Sequence, residues 1–313
     1  MNMQKMLKRL SFASMVGMFL ILLMGALVTK TESGRGCGDD WPLCNGRFVP
    51  AYTIESMIEY SHRFVVGVVG LILLATMIYT FRHSRRKDAK WYVSGAMFFT
   101  LLQAVLGALA VVMPQSSAVL ALHFGFSLIS FAFTLLLYLV YTRFGQAMEQ
   151  GDGSVLSKGM HVAIWSLLGY CYVVVYLGAF VRHTEAWGGC VGWPLCNGQV
   201  IPELGGDTGI VFAHRVAAAI FGILLGVFYL VVRSQNRANS SMVSAAKWSF
   251  IFVLAQILSG GLLTVSIGSD WHLATSLLHT LLISCLFGVQ CYTCVLSLRS
   301  QTAEGSVQAY GAR

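Results

Sequence analysis

Along this chain, long apolar runs alternate with short polar connections. Eight runs reach the roughly 20 residues that a helix needs to cross a bilayer at about 1.5 Å per residue. They lie at about 11–30, 61–81, 92–113, 118–141, 161–181, 210–232, 246–267 and 272–296. The first run follows Lys5, Lys8 and Arg9, as a secretory leader would. Its apolar stretch is longer than a usual leader core and no small-residue cleavage site follows, so a retained helix is expected. The pattern predicts an all-α integral membrane protein of eight transmembrane helices.

The runs repeat. GALVTKTE at 25–32 matches GAFVRHTE at 178–185, and CGDDWPLCNG at 37–46 matches CVGWPLCNG at 190–198. SHR at 61–63 matches AHR at 213–215, and QAVLGAL at 103–109 matches QILSGGL at 256–262. Pro50 and Pro202 also correspond, and the offset stays near 152–153 throughout. The expected organisation is therefore two tandem four-helix bundles, 1–150 and 151–313, joined through the polar stretch QAMEQGDGSVLSKG at 146–159. Four is even, so both copies point the same way across the membrane, related by a pseudo-two-fold axis along its normal.

Composition agrees: 56% of residues are hydrophobic and 11% charged, less than half the charged share of a soluble domain, about 25%. The formal net charge of +8 comes from uneven placement. Lys5, Lys8, Arg9, Arg82, Arg85, Arg86, Lys87, Lys90, Arg143, Lys158, Arg233, Arg237, Lys247, Arg299 and Arg313 fall on one side, 15 of 21 basic residues. The other side carries six, together with Asp39, Asp40, Glu203 and Asp207. The positive-inside rule then puts both termini in the cytoplasm. It also removes the case for a nucleic-acid surface, since no soluble domain is left to carry one.

Four of the eight histidines share a depth. His62, His123, His214 and His279 each fall within two or three turns of the outer end of an even-numbered span. Two imidazoles per bundle at one depth suit the clamping of a flat macrocycle, since haem iron offers two axial positions and imidazole nitrogen ligates either. Zinc is a poorer match, with no third or fourth ligand at that depth. Arg63 and Arg215 directly follow two of these histidines and are candidate contacts for haem propionates. His83, His161, His183 and His272 lie in a loop or at helix ends, where an imidazole needs no special role.

The halves differ at one position. Glu59 precedes His62 by three residues and so shares its helix face; before His214 the matching residue is Val211. An ionisable side chain at membrane depth is a functional candidate, here as general base or as a stabiliser of developing positive charge. The alternative is a carboxylate solvated at the water interface. Glu32 and Glu185 occur in both halves and read as shared architecture at helix ends.

Cys37, Cys44, Cys190 and Cys196 all fall in outward loops, where disulfides are permitted. Either pair can close a short loop if its Cα atoms come within about 7 Å. Such a loop can be a structural staple, with its Pro and Asn-Gly turn, or a reversible dithiol; in the second case Cys37 and Cys44, beside Glu59, are favoured. Cys171, Cys285, Cys291 and Cys294 lie in or near helices and read as packing thiols.

These features together resemble the haem A synthase family: eight helices in two repeats, EYSHR, paired WPLCNG loops and four helix-borne histidines, over nearly the whole chain. The resemblance implies a membrane-bound oxidoreductase that converts haem O to haem A by two successive hydroxylations of one ring methyl, the geminal diol losing water to give a formyl group. It implies haem O as substrate on His62 and His123, Glu59 as catalytic carboxylate and haem b as cofactor on His214 and His279. It further implies Cys37–Cys44 and Cys190–Cys196 disulfides, haem O synthase as supplier of substrate, product use by terminal oxidases, and a bacterial plasma membrane with loops and haem sites toward its outer face. An electron donor or acceptor of unknown identity and membrane lipid complete the partners. A non-enzymatic dihaem cytochrome is the main rival; it accounts for the histidines and leaves Glu59 without a role. A thiol oxidase leaves the histidines idle, and a transporter lacks broken helices with polar groups at the midplane.

Overall fold

The computed structural model describes residues 3–50, 52–112, 117–238 and 240–302; Arg313, counted above with the inner basic residues, lies outside them. Eight helices among the described residues are long and apolar enough to span a membrane. They are α1 (Met3–Lys30), α2 (Ile54–His83), α3 (Lys87–Val112), α4 (Ser117–Val140), α6 (Lys158–His183), α7 (Gly206–Gln235), α8 (Ser241–Val265) and α9 (His272–Ser297). A short helix, α5 (Gly145–Gln150), follows α4, and a 3₁₀ turn at Ala186–Gly188 follows α6. Two-residue strands β1 (Val155–Leu156) and β2 (Gln301–Thr302) pair in parallel.

The helices outrun the apolar segments that signal them. The second apolar run begins near 61, yet α2 starts at Ile54 because the Thr53 hydroxyl accepts the Ser56 N–H as an N-cap, an interaction of about 1 kcal/mol. That early start puts Glu59 and His62 inside the helix, two turns from its end. Ser157 and Ser240 cap α6 and α8 in the same way. At the opposite ends of α1 and α6, Glu32 and Glu185 adopt positive φ, 55° and 58°. What these two glutamates share is therefore a backbone role, in turning the chain out of a helix.

α4 and α9 form the centre. Half of the most apolar segment of α4 and two thirds of that of α9 are buried, against less than a third for every other span. α1 packs on α2 and α4, and α3 on α2 and α4; likewise α6 packs on α7 and α9, and α8 on α7 and α9. α4 meets α6 and α9, and α1 meets α9. Arg182 on α6 reaches across to the Thr29 carbonyl on α1 at 2.6 Å. Buried hydroxyls tie neighbouring helices, Ser14 to Thr76 at 2.8 Å and Thr100 to Ser130 at 2.7 Å, while Trp91, Phe98 and Leu71 point outward. Small and hydroxyl side chains inside with large apolar ones outside is how helices associate in lipid.

At the end of α2 far from the cysteine loops, Arg86 binds Asp88 and Glu149 and the Val140 and Gly145 carbonyls. Its hydrogen bond to Asp88 raises the guanidinium pKa further, so this clasp stays charged. In the polar stretch between the halves, Asp152 accepts the Met242 N–H at the start of α8, and the Val155 N–H donates to the Asn236 side chain.

Candidate functional site

The two cysteine loops are closed as disulfides, Cys37–Cys44 and Cys190–Cys196, with Cα separations of 4.3 and 4.7 Å. Each contains a cis Trp-Pro bond, at 41–42 and 193–194, and a left-handed Asn, Asn45 and Asn197. Each sits directly on the start of a helix. A Cβ on Gly36 would lie 2.4 Å from the Glu55 backbone, and one on Gly189 2.4 Å from that of Asp207. Only glycine permits an approach this close. Cys171, Cys285, Cys291 and Cys294 are free.

Glu59 lies beneath the first loop and is 3% exposed, so the reading of it as a solvated interfacial carboxylate does not hold. Its Oε2 accepts the Cys37 N–H at 2.8 Å and its Oε1 accepts from Arg63 Nη2 at 2.5 Å. Arg63 in turn donates to the Asp40 and Leu43 carbonyls, both at 2.8 Å. One carboxylate and one guanidinium, a helix turn apart, thus grip both ends of the disulfide ring.

The second half repeats the arginine and omits the acid. Arg215 donates to the Leu195 carbonyl at 3.2 Å, the Cys190 carbonyl at 3.0 Å and the Thr264 hydroxyl at 3.3 Å. Val211, in the place of Glu59, is buried against Ala186, Cys190 and Cys196. The structure therefore gives both arginines a job the sequence did not reveal, holding the loop. Removing Arg63 strands a buried carboxylate, whereas removing Arg215 leaves only uncharged acceptors, the Leu195 and Cys190 carbonyls and the Thr264 hydroxyl. Arg63→Ala should accordingly cost about 3 kcal/mol and Arg215→Ala about 1 kcal/mol. Thermal unfolding of the two variants in detergent checks the order, and equal losses would contradict it.

The four histidines are half-buried in α2, α4, α7 and α9, six to eight residues from each helix start. His62 lies within electrostatic reach of His123, and His214 of His279. His123 Nδ1 lies 2.8 Å from the Gln103 carbonyl on α3. A carbonyl can only accept, so Nδ1 carries the proton and Nε2 keeps its lone pair for a ligand. His279 has the same tautomer by another route. Its Nδ1 pairs with the Ser259 hydroxyl at 2.8 Å, which itself donates to the Gln256 carbonyl, and its Nε2 receives the Gln256 side-chain amide at 3.0 Å. The His62 Nδ1 is buried and unpartnered. The His214 Nδ1 is likewise buried and unpartnered.

These surroundings fit a haem held by two histidines. In each half two imidazoles lie within electrostatic reach of each other, and in each half one of them is fixed as the tautomer that ligates through Nε2. Among the described residues no three His, Cys, Asp or Glu side chains gather as a bare metal ion would need. Sequence reasoning missed the partners of the imidazoles, the Gln103 carbonyl and Gln256 with Ser259. Gln103 and Gln256 are corresponding positions of the QAVLGAL and QILSGGL repeat, which is the signal that pointed to them.

Known proteins match this chain over nearly its whole length. The pattern of COX15-CtaA, cytochrome oxidase assembly protein, matches residues 8–291. The haem A synthase of Symbiobacterium thermophilum is 40% identical over 301 residues, covering 94% of this chain and 96% of the relative. That of Alkalihalophilus pseudofirmus is 39% identical, covering 95% of this chain and 99% of the relative. That of Bacillus licheniformis is 38% identical, covering 95% and 98%.

Proposed function

Because the chain belongs to the COX15-CtaA family of cytochrome oxidase assembly proteins, we propose that it is a haem A synthase. It is a multi-pass membrane oxidoreductase that converts haem O to haem A, and the bacterial sources of its relatives support a plasma-membrane location. A ring methyl of haem O becomes a formyl group through two hydroxylations and loss of water. The observation that carries this reading is the asymmetry between two otherwise alike histidine pairs: one has a buried carboxylate on its helix and the other a valine.

The reading divides the chain into 1–150, which takes haem O on His62 and His123, and 151–313, which holds haem b on His214 and His279. Support for two related bundles comes from helix neighbours that recur under α1–α4 to α6–α9. Arg182 on Thr29 adds to it, because these are equivalent positions of the two copies. The positive-inside pattern supports cytoplasmic termini and an outward face for loops and haem sites.

Glu59 is the residue placed to act on the substrate. Its negative charge, three residues from His62, stabilises positive charge that develops as electrons leave the methyl carbon, and its oxygens can take the proton released there. Haem b, when bound, supplies one-electron chemistry beside the substrate site. His214 and His279 hold it, with Ser259 fixing the His279 tautomer. Arg63 and Arg215 have five N–H groups each and give three to the contacts described above, which leaves donors for a propionate. Haem O synthase supplies the substrate and an electron donor or acceptor exchanges electrons with the enzyme.

Haem stoichiometry of the purified protein tests this division. Expressed without haem O, the chain should carry one low-spin, six-coordinate b-type haem. Two such haems per chain would favour the dihaem electron carrier, and none would contradict both readings.

A further inference from the structure

All four histidines rest against a glycine of the neighbouring helix. A Cβ built on Gly25 would lie 3.5 Å from His62, one on Gly107 3.2 Å from His123, one on Gly178 2.9 Å from His214, and one on Gly260 3.3 Å from His279. In every case the nearest atom is Cε1, the carbon between the two ring nitrogens. Gly25 and Gly178 are corresponding positions of the two copies, as are Gly107 and Gly260. Small residues in a membrane bundle usually let two backbones approach. These four instead admit one ring edge each, the Cε1 edge, with Nε2 next nearest at Gly25 and Gly178 and Nδ1 next nearest at Gly107 and Gly260.

A second regularity explains what the missing Cβ achieves. A helical Cβ leans toward the N-terminus and covers the turn before it, including the carbonyl four residues back. Four residues before Gly107 is Gln103, whose carbonyl binds His123 Nδ1 at 2.8 Å. Four residues before Gly260 is Gln256, whose carbonyl binds the Ser259 hydroxyl that pairs with His279 Nδ1. Bare glycine leaves that carbonyl open from the side, so it can serve its own helix and also reach the imidazole directly or through one hydroxyl.

We propose that Gly25, Gly107, Gly178 and Gly260 are positioning residues for the four axial histidines. Each seats the imidazole edge on the neighbouring helix, and Gly107 and Gly260 also uncover the carbonyl that holds the proton on Nδ1, directly for His123 and through Ser259 for His279. The inference rests on the ligand reading above. It makes depth and ring plane of each ligand a property of the helix pair α1–α2, α3–α4, α6–α7 or α8–α9, rather than of the histidine alone. It also ranks the sites. A methyl at Gly178 must displace His214, those at Gly107 and Gly260 press their histidines by tenths of an ångström, and that at Gly25 makes ordinary contact.

The resident haem b gives the test, in full-length protein purified without haem O, with electron paramagnetic resonance and haem affinity as readouts. Bis-imidazole haem reports its ligand planes in its highest g value, which a merely looser fold leaves in place. Gly178→Ala is expected to move that g value and to weaken haem b binding about 10-fold, the cost of disturbing a ligand's outer support. Gly169→Ala, on the same helix with nothing within 4 Å of the added Cβ, is expected to match the wild type in both. Should Gly178→Ala not accumulate as folded protein, Gly260→Ala carries the same readouts with a smaller shift. Folded Gly178→Ala and Gly260→Ala proteins indistinguishable from Gly169→Ala would overturn the proposal while leaving the ligands standing. A His214→Ala protein that keeps the wild-type low-spin signal would instead overturn the ligand assignment itself.

Discussion

Glu59→Ala is expected to abolish haem A formation, by a factor of about 10²–10⁴ for a lost acid–base group, and to leave in place the haem b proposed for the second half. The carboxylate is on the first-half helix only, so the second-half site should not register its removal. Alanine also frees Arg63 and the Cys37 N–H, both of which Glu59 holds, so part of any loss can come from the loop. Glu59→Gln separates the two effects. The amide oxygen still accepts from Cys37, but the charge opposite Arg63 is gone. If charge at this position drives the chemistry, Gln is nearly as inactive as Ala and far better folded. A Gln variant with near wild-type turnover would make Glu59 a clamp for the cysteine loop and nothing more.

The second large effect comes from the histidines, and it splits by half. His214→Ala and His279→Ala are each expected to remove the proposed b-type haem and with it all activity, because a methyl group offers the iron no lone pair. His62→Ala and His123→Ala are expected to leave that haem in place and stop only the conversion of haem O. Absorption spectra of the purified variants, set beside their extracted haems, check both statements at once. Loss of haem b from His62→Ala with retention in His279→Ala would reverse the assignment of the halves.

The eight spans, the paired histidines, the lone Glu59 and the internal repeat were all legible in the sequence, because each depends on residue type and spacing. Helix starts were less so. Residues 54–60 of α2 mix Glu55, Ser56 and Glu59 with apolar positions, and it is the Thr53 cap that sets their helical state. The burial of Glu59 was invisible because its partner Cys37 is 22 residues away in a loop whose fold no periodicity encodes. Arg63 and Arg215 were read toward propionates, and the loop carbonyls they hold as well were invisible for the same reason. The glycines beside the histidines lay in plain view inside the matched repeat segments. Lipid-facing helices are apolar on every side, so their hydrophobic pattern does not say which glycine faces a neighbour.

The central claim is the conversion itself, and extraction of haem tests it most directly. The chain is produced together with a haem O synthase in a host that makes no haem A but has a working respiratory electron supply, and the extracted haems are separated and weighed by mass spectrometry. The account predicts a new species that keeps the farnesyl chain of haem O and carries a formyl group in place of one methyl, absent when Glu59 is replaced. Unchanged haem O, alongside a protein that has bound b-type haem in both halves, would contradict it and leave an electron carrier in its place.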